Sequence, residues 1–138
     1  MKISRMGRVK KLDSVFSRYI RLKRSVQWIC TCVTCGKKFP RQAIQNWHFI
    51  SRKVYKYRRD PKNCYPQCSW CNIFLKGNYQ VFTLIMIDMR WRDEVERMLN
   101  DKTVFKISTS EIIELIDFYE WEVKRLIENL ALEIERKS

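Results

Sequence analysis

An α+β fold, with a core of short strands between helical flanks and a helical C-terminal half, is predicted by three observations. Apolar residues recur at helical spacing near the N-terminus and again through the last thirty residues, whereas the stretch between them is broken into short β-rich pieces. Two Cys-x-x-Cys elements bracket that β-rich stretch. Charge divides the chain at the same place: residues 1–78 hold 19 Lys+Arg against two acids, Asp13 and Asp60, whereas residues 79–138 hold 9 against 13.

Three segments follow. Residues 1–27 read as a flexible basic arm (1–11) and an amphipathic helix in which Leu12, Val15, Phe16, Tyr19 and Ile20 share a face and Lys11, Arg18 and Arg21 lie opposite. Residues 28–78 hold the β-rich core: strands around Val26–Val33 and Trp47–Ile50, a basic loop over 51–62, a short strand over 63–68 interrupted at Pro66, and a helix starting near Ser69. Residues 79–138 are the helical region. One helix spans 79–99, a connection spans 100–107, and Ser108-Thr109-Ser110-Glu111 has the form of a capping box at the start of the last helix. There Ile112, Ile116, Tyr119, Val123, Leu126 and Leu130 step by four and three, beside a second strip of Ile113, Leu115, Phe118, Trp121 and Ile127. Together they are wider than helix 79–99 needs as a packing surface, so residues 109–137 are expected to form a homodimer.

The longest uncharged apolar run, Val81–Ile87, is too short to cross a bilayer, and no apolar signal core follows the basic N-terminus. The chain is expected to remain in the compartment where it is made, the cytoplasm, with no membrane partner and no small-molecule cofactor. In that reducing setting six cysteines point to metal. Cys32-x-x-Cys35 and Cys68-x-x-Cys71 each offer two thiolates from one tight turn, with Gly36 free to take a positive φ. Two such pairs close a tetrahedral shell suited to structural Zn²⁺. Disulfides or two separate redox motifs are the alternatives. Cys30 and Cys64 lie among apolar strand residues and read as small buried hydrophobes, with a ligand exchange at Cys30 left open.

The excess positive charge of the first half implies a polyanion, although a basic surface also serves solubility. Arg41, Arg52, Lys53, Lys56, Arg58, Arg59 and Lys76 border the knuckles and are the candidate phosphate-binding cations, while Tyr55 and Tyr57 fit either stacking on bases or packing in the core. His48 is the only histidine and lies between the knuckles, directly before the basic loop. A lone histidine is most often a packed or surface residue, but beside phosphate-binding cations it can take a proton from water near neutral pH. Asn63 opens the strand to the second knuckle. Asn72 follows Cys71, rigidly enough to offer its amide oxygen to a hard cation such as Mg²⁺.

Taken in order, Cys32-x-x-Cys35, Trp47-His48-Phe49-Ile50-Ser51-Arg52, Asp60-Pro61-x-Asn63-Cys64-x-Pro66-Gln67-Cys68-x-x-Cys71-Asn72 and Lys76-Gly77-Asn78 resemble the NinG/Rap family of phage recombination proteins. More generally the pattern is similar to HNH endonucleases such as phage endonuclease VII. The resemblance implies a zinc-bound ββα core of treble-clef (His-Me finger) type. It implies His48 as general base, Asn63 orienting and polarising it, and Asn72 on a catalytic Mg²⁺ or Mn²⁺. The implied reaction is hydrolysis of branched double-stranded DNA, such as Holliday junctions or D-loops, to 5′-phosphate and 3′-hydroxyl ends. Many HNH enzymes carry an aspartate directly before the histidine. Trp47 stands there in this chain, so either a more distant carboxylate, with Asp60 the candidate, completes the shell or the metal is held loosely. A non-catalytic zinc-finger recombination mediator and a zinc-scaffolded RNA-binding protein are the competing functions.

Overall fold

The computed structural model describes residues 2–137. Helix α1 (Arg5–Lys23) leads into a three-stranded antiparallel sheet of β1 (Ser25–Val26), β2 (Ile29–Thr31) and β3 (Lys38–Pro40), and a 3₁₀ turn (Arg41–Ala43) then connects to β4 (Gln45–His48). One helical turn, α2 (Tyr55–Arg58), interrupts the basic loop before β5 (Cys64–Gln67), which pairs antiparallel with β4 so that His48 lies opposite Cys64. A π turn (Trp70–Phe74) follows, then α3 (Tyr79–Arg90), α4 (Arg92–Asn100) and the 29-residue α5 (Thr109–Lys137). The chain is thus mixed α+β with helical flanks, as expected. No helix among the described residues is long and apolar enough to cross a membrane.

Three apolar clusters hold it together. The first is the α1–α5 seam: Leu12, Val15, Phe16, Tyr19, Ile20 and Leu22 bury against Ile112, Ile116, Tyr119, Val123 and Leu130. Phe16 meets Tyr119 edge-on at 5.1 Å between ring centroids. The second packs α3 and α4 on the β4–β5 hairpin, with Phe82 wedged between Phe49 and Tyr65 at 5.5 and 6.0 Å. The third is small and surrounds the cysteines.

Four expectations need correction. Residues 5–11 are helical, not a flexible arm. Ser4 accepts the Gly7 N–H at 3.0 Å as an N-cap, and Arg5 donates to the Ile107 carbonyl (2.6 Å) and Thr109 (3.0 Å) at the start of α5. The 79–99 helix is two helices, because Trp91 adopts φ 68° and stops the ladder. The helix expected at Ser69 is only the five-residue π turn. Finally, the seam of α5 is filled by α1 rather than by helix 79–99, so its width is met within the chain. The capping box is present: Glu111 N–H donates to Ser108 Oγ (3.1 Å) and Ser108 N–H to the Glu111 carboxylate (2.6 Å).

Candidate active site and metal centre

Both knuckles are tight turns built by local backbone bonds. In the first, Gly36 at φ 75° allows its N–H to reach the Cys32 carbonyl at 3.0 Å, and Cys32 N–H reaches Lys37. In the second, Asn72 N–H bonds to the Cys68 carbonyl, and Gly77 N–H returns to the carbonyls of Cys71 and Asn72. The buried amide of Gln67 stitches the two together, donating to Thr34 at 2.8 Å and to the Gly77 carbonyl at 2.7 Å.

The sulfurs of Cys32, Cys35, Cys68 and Cys71 consequently lie within 4.8 Å of one another, with Cys35 and Cys68 at 3.8 Å. Thiolates at ~2.3 Å around a tetrahedral zinc are themselves about 3.8 Å apart, so the four can hold one structural zinc ion. Burial raises the Cys32 thiol, but N–H donors at Cys35, Cys68 and Thr34 outweigh it and bring the value to about 7. Burial and the neighbouring thiols push Cys35 and Cys71 up, as expected of thiols that cannot all ionise without a cation between them. Cys30 and Cys64 are fully buried outside this group. Cys30 Sγ donates to the Arg21 carbonyl at 3.1 Å.

His48 ends β4, where burial lowers its pKa below the usual 6.5 while the Arg58 carbonyl and Asp13 work the other way. Its Nε2 lies 2.7 Å from the Arg58 carbonyl oxygen. A carbonyl only accepts, so Nε2 carries the proton and Nδ1 keeps its lone pair. That bond selects the tautomer of the neutral ring, while burial disfavours the charged form. His48 and Asn72 both line a cavity of about 560 Å³, together with Asp13, Ser17 and Arg21 of α1, Gln45, Trp47 and Arg52. Asn72 donates its amide N–H to the Gln45 side chain, which leaves Oδ1 as the atom suited to a cation.

Asn63 does not polarise His48 directly. It is fully buried, and its amide is taken by backbone: Oδ1 accepts from Ile50 N–H at 2.7 Å, and Nδ2 donates to the carbonyls of Ile50 (3.1 Å) and Tyr57 (3.0 Å). It pins the two ends of the loop that supplies the Arg58 carbonyl. Asp60 is likewise displaced from the role expected of it. It caps Lys62 N–H at 2.9 Å and lines a different cleft with Tyr57, Glu94 and Asp101. Trp47 lies against Gly77, where a Cβ would come within 2.8 Å of the indole, so at this position the side chain packs the second knuckle instead of offering an acid.

The basic residues separate. Arg52 lines the His48 cavity, and Arg52, Lys53, Tyr55 and Arg58 line an adjoining cleft. Arg58 and Arg59 are ion-paired with Asp13 at 2.5 and 3.0 Å. Lys56 instead pairs with Asp101, which also accepts from Tyr57; that tyrosine is buried and not available for stacking, whereas Tyr55 is exposed. Arg41 lies over the Trp28 ring at 5.0 Å, and Lys76 is exposed after the second knuckle. Sequence reasoning missed the wall that α1 contributes, Asp13 above all. The available signal was the rarity of acids: Asp13 is one of two among the first 78 residues.

Comparison with curated proteins and with solved structures returns no match. The family model described as Bacteriophage Lambda NinG protein matches residues 3–129, from just before α1 into the last third of α5. That span takes in both knuckles, His48 and all of the α1–α5 seam but Leu130, and the chain belongs to the NinG family.

Proposed function

We propose that the chain is a divalent-metal-dependent DNA endonuclease of HNH (His-Me finger) type that acts on branched DNA in phage recombination. The observation that carries this reading is the His48 imidazole, held by the Arg58 carbonyl with Nδ1 as a free base, in a cavity shared with Asn72 and bordered by Arg21 and Arg52. A phosphodiester drawn in by those cations would present its phosphorus to a water from which His48 Nδ1 takes the proton. Membership of the NinG family and the zinc-competent knuckles on either side of the β4–β5 hairpin support the same reading. Asn72 Oδ1 and the phosphate oxygens would hold Mg²⁺ or Mn²⁺, which when bound offsets charge on the phosphate and on the departing 3′ oxygen. Binding rests on phosphate contacts by the cations of residues 1–78, so it should weaken steeply with salt.

A second reading, a recombination mediator that binds DNA without cutting it, draws on a specific contact. Asp13, the one carboxylate among the described residues of the cavity, is ion-paired through both oxygens with arginines. One experiment separates the two. A synthetic four-way junction is incubated beside linear duplex, with and without Mg²⁺, with the parent protein and with His48→Ala. The nuclease reading expects Mg²⁺-dependent cutting of the junction that falls about a hundred- to ten-thousand-fold in His48→Ala, with zinc content and junction binding unchanged. Equal cutting by the variant removes His48 from the chemistry, and no cutting by the parent leaves the mediator.

A homodimer belongs to the same proposal. With the α5 seam filled by α1, the surface left for a second copy is the outward strip containing Phe118 and Trp121, 50% and 60% exposed. Two cavities related by a twofold axis would suit a symmetric junction. Light scattering at micromolar protein should give twice the chain mass; a monomer at that concentration removes this part.

A further inference from the structure

Asp13 lies on α1, in a stretch of the chain where cations outnumber acids 19 to two. Its side chain is mostly buried and faces the basic loop. Oδ2 accepts from Arg58 Nη2 at 2.5 Å and from Arg52 Nη2 at 3.5 Å, and Oδ1 accepts from Arg58 Nε at 3.2 Å, with Arg59 Nη2 at 3.0 Å. The Arg58 pair is two-pronged, the geometry that fixes a guanidinium in orientation as well as in place. Both oxygens are thereby committed to arginine, which is not how a carboxylate waiting for a cation is surrounded.

The same Arg58 provides the carbonyl on His48 Nε2. Arg58 is the last residue of α2, a helix of four residues whose N-cap makes no side-chain hydrogen bond; within the loop its N–H reaches the Val54 carbonyl at 3.1 Å and its guanidinium the Arg52 carbonyl at 3.5 Å. Three groups outside the loop add to this: Asn63, directly before β5, through the Tyr57 carbonyl; Cys64 of β5, whose Sγ donates to the Arg58 carbonyl itself at 3.8 Å; and Asp13 from α1, through the Arg58 guanidinium. Helix α1 is in turn anchored along its other face by the α5 seam.

We propose that Asp13 is a positioning residue for His48: by clamping Arg58 it holds the Arg58 carbonyl on Nε2, which keeps Nδ1 in the base form. The proposal rests on the reading of His48 as general base. It makes the N-terminal helix part of the site and gives Asp13 a role other than that of metal ligand.

The chain has a single histidine, so its ring nitrogens can be read without assignment. Long-range proton–nitrogen spectra of the zinc-loaded protein are recorded without DNA, for the parent and for Asp13→Asn, with zinc stoichiometry as the check on folding. The parent should show one protonated-type and one bare-type ring nitrogen. In Asp13→Asn the two should move toward each other as the tautomers mix. Junction cleavage should fall about ten- to a hundred-fold, the usual cost of losing a group that orients another, at an unchanged half-saturating Mg²⁺ concentration. If Asp13→Asn does not fold, Arg58→Gln breaks the same clamp from the other side and should give the same spectrum. Unchanged ring nitrogens in a folded variant overturn the proposal, and so does a raised Mg²⁺ requirement with an unchanged spectrum, which would make Asp13 a metal ligand. A mixed-tautomer spectrum in a protein whose parent cuts no junction upholds the clamp and removes the nuclease reading instead.

Discussion

The α1–α5 pair and the knuckle region are held by different physics. Along the seam, thirteen buried residues form one continuous apolar cluster, stabilised by area removed from water. Around the knuckles the cluster is five residues, four of them zinc-ligand or neighbouring cysteines, and the only fully buried amides of the described chain, Asn63 and Gln67, lie directly before β5 and at its end. The cavity lies between the two, walled on one side by α1, but His48 and the chemistry proposed for it belong to the second region, whose order comes from ligation and directed hydrogen bonds. Such bonds fix angles as well as distances, which apolar packing does less strictly, and a base that must offer one particular nitrogen needs the angle.

The sharpest way to break the comparison is to remove the metal. A structural zinc contributes about 10–16 kcal/mol in small zinc-dependent domains, more than the small cysteine cluster can replace. Cys68→Ser, or strong chelation, should therefore release zinc and disorder β4, β5 and the His48 loop while most of the helical signal of α1 and α5 survives. Far-ultraviolet circular dichroism read beside elemental analysis checks this. A loss of all helical signal in step with zinc would show one cooperative unit in place of two regions.

Phe16→Ala attacks the other side. Phe16 is 1% exposed and contacts Tyr119, and its truncation should lower stability by about 3–5 kcal/mol, the range for an aromatic removed from a packed core. Zinc stoichiometry should stay at one per chain, measured at a temperature where the variant remains folded. Zinc loss at that temperature would mean that the seam supports the knuckles more directly than the separation of the clusters suggests.

What could be read from the sequence follows the same division. The zinc ligands are legible because each pair is set by a local turn, three residues apart, and the two pairs match. His48 and Asn72 are legible as a pattern around those knuckles, and the structure places both in one cavity. The contribution of α1 is not, since nothing local says that a helix starting at Arg5 will lie against β4 and the loop over 51–62. The basic residues 5–11 lack an apolar period, and the N-cap at Ser4 was the one signal of an earlier start. The break at Trp91 has no proline or glycine to announce it. Asn63 shows a further limit: the residue was identified, but an amide can serve a histidine directly or hold the loop that does, and only the hydrogen-bond partners distinguish these.

A smaller effect tests whether the knuckle region holds His48 as a half-buried neutral base. Burial lowers its pKa below 6.5 in the folded chain, against the Arg58 carbonyl and Asp13, while the unfolded chain titrates near the ordinary value. Between those two values the unfolded state binds the extra proton, so stability rises with pH there and falls as pH drops through the window. One group can change stability by at most about 1.4 kcal/mol per pH unit, so the contrast must be drawn against a variant. Urea unfolding of the parent and of His48→Gln between pH 7.5 and pH 5, at fixed zinc, isolates it: both lose stability as carboxylates and thiolates protonate, but the parent should lose more below pH 6.5. The acid limb of junction cleavage should fall at the same folded-state value, since only the neutral imidazole accepts a proton from water. Parallel losses in the two proteins would mean that the imidazole titrates as freely as in the unfolded chain. The Arg58 carbonyl would then be a contact that solvent replaces, and the order of the knuckle region would stop short of His48.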